Sequence, residues 1–173
     1  MEKYTACICE GGAERAILDL LLDAHKLIFE REELIEEELL RCRSAREFER
    51  RHLKKGFSEK ITVYRILDSR KENFKLSKAY EQKVDVINVV TAPEIEMLII
   101  CNEGKYKEFK KSGEKPSVYC KSGLRYKNVK DYNFIQTYFS DMDTLVNALY
   151  EYKRISKIRK GEIVLWDLLK PAV

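Results

Sequence analysis

The sequence is poor in residues that break or staple a chain. Three prolines and seven glycines in 173 residues leave few forced turns, and 45% hydrophobic with 36% charged residues excludes a disordered or collagen-like chain. No apolar stretch approaches the roughly 18 residues needed to span a bilayer, because charges interrupt every few positions, so no membrane association is expected. There are only two histidines, His25 and His52, both in or beside amphipathic segments and without a close cysteine or carboxylate partner in sequence. They are expected at the surface, and neither a histidine-based active site nor a zinc site is expected. Five cysteines are an odd number, and Met-Glu-Lys is followed by a strand rather than by a secretory signal, so reduced, buried thiols in a cytoplasmic protein are expected.

A strong charge of one sign is also lacking. The net charge of +4 is the difference between 33 basic and 29 acidic residues, which says little about partners. Distribution says more: residues 1–40 are acid-rich, whereas 105–130 and 153–160 are basic, and this asymmetry gives either one face suited to nucleic acid or ordinary solvated helix faces.

What is present is a strand and helix pattern. Tyr4 to Cys9 favours a strand, with Cys7 and Cys9 on one face, and it stops at Glu10-Gly11-Gly12 before a helix from Ala13 whose apolar residues Ile17, Leu18, Leu21 and Leu22 recur at helical spacing. Lys26 to Phe29 reads as a second strand. One or two amphipathic helices through Leu34, Leu40, Phe48 and Leu53 come next, with a break near Ser44. Ile61 to Leu67 is a β-branched and aromatic strand ending at Asp68, and Asp85 to Val90 is another, followed by a helix that Thr91 caps and Pro93 opens. Ser117 to Cys120 reads as a short strand within a basic loop from Ser112 to Lys130. Asp141 caps a helix to Ile155, and Ile163 to Trp166 is a terminal strand or the start of a helix. Alternating β and α predicts an α/β fold: a mostly parallel, Rossmann-like sheet flanked by helices, in one domain over 1–173, with a core to about residue 111 and an extension over 112–173.

Ligands of such sheets collect at the carboxyl ends of the strands. Glu10, Asp68 and Glu96 are expected near that edge, where hard carboxylate oxygens suit Mg²⁺ or Mn²⁺. Lys121, Arg125 and Lys127, interleaved with Tyr119, Tyr126 and Tyr132, have the chemistry for phosphate contacts and base stacking, against the alternative that the aromatics are core.

The segment Ile8-Cys-Glu-Gly-Gly-Ala-Glu14 before a helix resembles the E-G-x-[TS]-[DE] turn of the Toprim domain in overcoming-lysogenization-defect nucleases, and Asp68 falls where their D-x-D motif would lie. Thr91 to Ile100 is similar to the N-P-x-x-E-x-W-L-L-x segment of RloB-like Toprim proteins, with Pro93, Glu96 and the apolar run matching and Thr91, Ala92 and Met97 differing. The resemblance implies a Toprim fold and a metal-dependent nuclease or related phosphodiester enzyme, in a phage-defence setting, acting on DNA or RNA. Glu10 and Asp68 would be catalytic; Glu10, Asp68 and Glu96 would hold Mg²⁺ or Mn²⁺; Gly11 and Gly12 would lie against phosphate. Arg70 replaces the second acid of D-x-D, so it either repels a metal or clamps a phosphate, and Glu72 is the nearest substitute acid. The alternative is a catalytically degenerate Toprim-like module that binds nucleic acid or a protein partner, or pairs as a homodimer. A nucleotide-binding Rossmann protein ranks behind both, since no G-x-G-x-x-G follows the first strand.

Overall fold

In a computed structural model, which describes residues 4–171, four parallel strands form one sheet: β1 (Thr5–Ile8), β2 (Ile61–Leu67), β3 (Val84–Val90) and β4 (Glu162–Ile163). The strands lie in chain order, with Ile8 opposite Arg65, Arg65 opposite Asn88, and Asn88 opposite Glu162. Alternation along β1 and β2 divides the core. Cys7, Ile66 and Val89 face one layer, built on α1 (Gly12–Asp23), whereas Ala6, Ile8, Ile61, Val63 and Val84 face the other, built on α2 (Ala45–His52). The first layer also takes in α3 (Met97–Asn102), α5 (Pro116–Ser122), α6 (Tyr132–Tyr138) and α7 (Met142–Ile155), and α4 (Tyr106–Ser112) packs at its rim. Phe139 in that layer and Phe48 in the other are fully buried, and truncating either to alanine costs roughly 3–5 kcal/mol. The result is a Rossmann-like α/β domain. No helix among the described residues is long and apolar enough to cross a membrane.

Several expected elements differ. Lys26 to Phe29 joins no sheet; Leu27 makes one antiparallel bridge to Leu169, closed by Ile28 N–H to the Leu168 carbonyl and Lys170 N–H to that of Lys26. Residues 31–37 form two 3₁₀ turns instead of a helix, because a run of glutamates repels itself at helical spacing and Glu36 and Glu37 take left-handed φ of 60° and 55°. Leu34 and Leu40 bridge β1 in parallel there and blunt its outer edge. Ser44 is the N-cap of α2, accepting from Glu47 N–H.

The connection 68–83 holds turns and no helix, so the β-α alternation fails between β2 and β3; its apolar residues lack a helical period. After β3, the Ala92–Pro93 peptide is cis and residues 93–96 form a turn with i to i+3 bonds, so the helix begins at Met97 rather than at Pro93, and Thr91 caps nothing. Ser117 to Cys120 is helix α5, with Pro116 in its first turn and Glu94 accepting Ser117 N–H at 2.8 Å. Both histidines have carboxylate partners: His25 Nδ1 lies 2.8 Å from Glu30, and His52 Nδ1 lies 3.0 Å from Glu36 with its side chain only 8% exposed. His52 is therefore half-buried rather than a freely exposed surface residue. All five cysteines are free thiols, and burial pushes Cys9, Cys101 and Cys120 up to about 12, which leaves them protonated and inert.

Candidate functional site

The β1 to α1 turn is locked by its own side chains. Glu14, in the first turn of α1, folds back so that one carboxylate oxygen accepts the N–H groups of Glu10 at 3.2 Å and Gly11 at 3.1 Å. On the other side, Arg41 Nη2 donates to the Glu10 carbonyl at 2.7 Å. Glu10 is thus held at both ends of its backbone, while its carboxylate is exposed and has no hydrogen bond or ion pair among the described residues. Asp68, exposed just past β2, is likewise uncommitted.

These two acids share a cavity of about 250 Å³ at the carboxyl edge of the sheet, with Glu14, Glu72 and Arg65 in its walls. A second cavity of about 90 Å³ adjoins it through Gly11, Glu14 and Asp68, and adds Glu94, Glu96 and Lys130. The structure therefore brings Glu10, Asp68 and Glu96 to one edge, with further acids between and around them. Burial raises the Glu14 carboxyl, against the two backbone hydrogen bonds, with the Asp68 and Glu10 charges adding to the rise. Glu96 is 3% exposed, and desolvation raises its carboxyl from 4.5 to about 7. Glu94 is committed: it caps α5 and accepts from Lys130 Nζ at 3.3 Å. Among the described residues no three His, Cys, Asp or Glu side chains form a ready-made metal cage.

Arg65 is the feature that sequence reading passed over. It stands on the same face of β2 as Ile61 and Val63, its side chain 5% exposed, with Nη2 3.2 Å from Glu72 and the guanidinium 4.4 Å from the centre of the Phe74 ring. Its Nε has no hydrogen-bond partner among the described residues, and burial lowers its pKa against the pull of Glu72 and Glu10. The available signal was a charge on the apolar face of a central strand. Glu72, the nearest substitute acid, lines the larger acidic cavity but is paired with Arg65.

Other predicted residues lie elsewhere or do other work. Arg70 lines neither acidic cavity; its Nε and Nη2 grip both oxygens of Glu162 at 2.8–3.1 Å, and Nη2 also donates to the Lys157 carbonyl at 3.0 Å. The carboxylate it clamps comes from the chain itself. The Gly11 N–H is already taken by Glu14, so it offers no amide to a phosphate. Gly12 sits in close packing, since a Cβ there would lie 3.2 Å from the Lys130 carbonyl oxygen, where the loop before α6 crosses α1, and that backbone would have to give by a few tenths of an ångström. Lys121, Arg125 and Lys127 are exposed on α5 and the loop after it, and line neither cavity.

Fold and site together define an α/β protein with an acidic, arginine-floored cleft at the carboxyl edge of a parallel sheet. Compared with known proteins, the chain matches no family model, no curated protein and no solved structure.

Proposed function

We propose that the chain is a metal-dependent nuclease, or a related phosphodiester-processing enzyme, of Toprim type, acting on DNA or RNA. The observation that carries this reading is the pair Glu10 and Asp68: two carboxylates without hydrogen bonds or ion pairs among the described residues, in the walls of one cavity. That donor set fits Mg²⁺ or Mn²⁺, which take oxygen ligands, keep several waters and need only one or two protein carboxylates. Glu10 and Asp68 would hold the ion, with Glu96 at the adjoining cavity. When bound, it would supply charge for a phosphoryl oxygen and acidify a water.

The chain's own residues divide the remaining work. Glu10, its backbone fixed by Glu14 and Arg41, presents an unpaired carboxylate to the cleft as acid or base. Glu96, with its carboxyl near 7, gains or loses a proton around neutral pH. Arg65 puts a buried positive charge among the acids, so that a phosphate entering the cleft does not meet carboxylates alone. The reduced thiols suit a cytoplasmic setting, and the family resemblance suggests phage defence.

The test is cleavage of single- and double-stranded DNA and total tRNA in Mg²⁺, Mn²⁺ or EDTA by the wild type, Glu10→Ala and Asp68→Ala. Metal-dependent cutting lost in both variants is expected; full cutting by Glu10→Ala would remove the site assignment. A second reading, a degenerate binding or regulatory module, is favoured by Arg70 standing tied to Glu162 at the second motif position. It predicts salt-sensitive binding with no cutting under any condition.

A further inference from the structure

A cavity of about 350 Å³ lies at the other end of the same sheet edge, beyond β3, between α4 and the end of α7. Its chemistry is the reverse of the acidic cleft. Arg70, Lys110 and Lys157 line it together with Tyr106, Phe109 and Tyr152, and no carboxylate among the described residues does. Glu162 neutralises Arg70, which leaves Lys110 and Lys157 as the free charges: both are exposed, and neither has an ion pair among the described residues. Lys110 instead lies 5.7 Å above the Tyr106 ring. Ile158 stands at the rim, 46% exposed, where an isolated apolar side chain gains nothing from water.

The walls are fixed. Tyr152 donates to the Ala92 carbonyl at 2.7 Å, Phe109 packs edge-on against Tyr119 at 5.5 Å, and Arg70 ties the Lys157 backbone to the loop after β2. Aromatic rings, an apolar rim and two unpaired ammonium groups in a preformed pocket select a ligand with a flat π-system and a nearby anion. We infer that this cavity binds a nucleoside monophosphate unit, the base against the Phe109 and Tyr106 side and the phosphate between Lys110 and Lys157. The unit comes either from a single strand or from a free nucleotide. The inference goes beyond the metal reading and does not need it.

The test is fluorescence anisotropy of a short fluorescein-labelled oligothymidylate titrated with the full chain in EDTA, so that cleavage plays no part. Lys110→Glu with Lys157→Glu should weaken binding by more than about tenfold and flatten its salt dependence. Phe109→Leu, which keeps apolar volume and removes the ring, should weaken it by about tenfold, the value of one lost base stack. Lys54→Glu, an equally exposed lysine after α2, should bind as the wild type. Displacement of the probe by unlabelled dTMP assigns the pocket to free nucleotides, and displacement by oligonucleotide alone assigns it to a strand; either supports the inference. Absence of salt-sensitive binding by the wild type, or an equal loss in Lys54→Glu, would overturn it.

Discussion

One sheet edge carries two cavities of opposite chemistry, and the difference comes from the side chains that each end gathers. After β1 and β2 the chain places Glu10 and Asp68, and Glu14 closes the first helix with its own carboxylate. Around the ends of β3 and β4 it places Tyr106, Phe109, Lys110 and Lys157 instead. Strand order alone would not separate them, since the strands run β1 to β4 without the reversal that creates a switch-point crevice. The side chains at the two ends make one cavity acidic and the other basic and aromatic.

The sharpest break in this comparison is at the acidic end. If Glu10 is an acid or base there, Glu10→Ala should lower metal-dependent cleavage by about 10²–10⁴-fold while leaving thermal stability nearly unchanged, because the carboxylate makes no hydrogen bond or ion pair among the described residues. Asp68→Ala should do the same. Loss of cleavage together with a lowered Tm would instead make these residues part of the scaffold.

A smaller effect separates buried from exposed acids within the same cleft. The Glu96 carboxyl is raised from 4.5 to about 7, so the fold holds its proton more tightly than the unfolded chain does. The stability this provides is complete below pH 4.5 and is lost as pH rises to about 7, a change of roughly 3 kcal/mol. In EDTA, the wild type should therefore be less stable at pH 8 than at pH 5. Glu96→Gln should raise Tm at pH 8 by about 6–12 °C and remove that slope. Urea melts at both pH values check it; an unchanged slope in Glu96→Gln would place the titration elsewhere.

The acidic end was legible in sequence where chemistry was local. A β-branched run ending in an acid, and an acid before two glycines and a periodic helix, placed Glu10 and Asp68 at the edge, as Asp141 before Leu145 and Leu149 placed α7. What was not legible depends on distant partners. Arg65 is informative only once Phe74, Glu72 and the apolar layer surround it. Val118 and Tyr119 favour a strand by propensity, but Pro116 and the Glu94 cap, 23 residues earlier than Ser117, set a helix there. The acid run at 31–38 has helix formers and no helix, since like charges and the bridges of Leu34 and Leu40 to β1 outweigh propensity. Arg70 read as a ligand-facing cation because Glu162, its partner, lies 92 residues away.

That pair gives the smallest effect and bears on the boundary between the two cavities. Arg70 joins the loop after β2 to the two-residue strand β4 through Glu162 and to the approach to β4 through the Lys157 carbonyl. It therefore ties down the backbone of Lys157, which lines the basic cavity beside it. Its hydrogen bond to Glu162 is the main reason the Glu162 carboxyl lies below its ordinary value, so the stability it gives is present at neutral pH and is lost as pH falls through the acid range. The pair is partly exposed, which limits its worth to about 1 kcal/mol. Arg70→Ala and Glu162→Ala should each lower stability by that amount at pH 7, and the double variant by little more than either, because the two side chains act as one unit. If Arg70→Ala weakens oligonucleotide binding and Glu162→Ala strengthens it, Arg70 itself contacts the anion and the two ends differ by one more cation; equal weakening in both leaves it a tether.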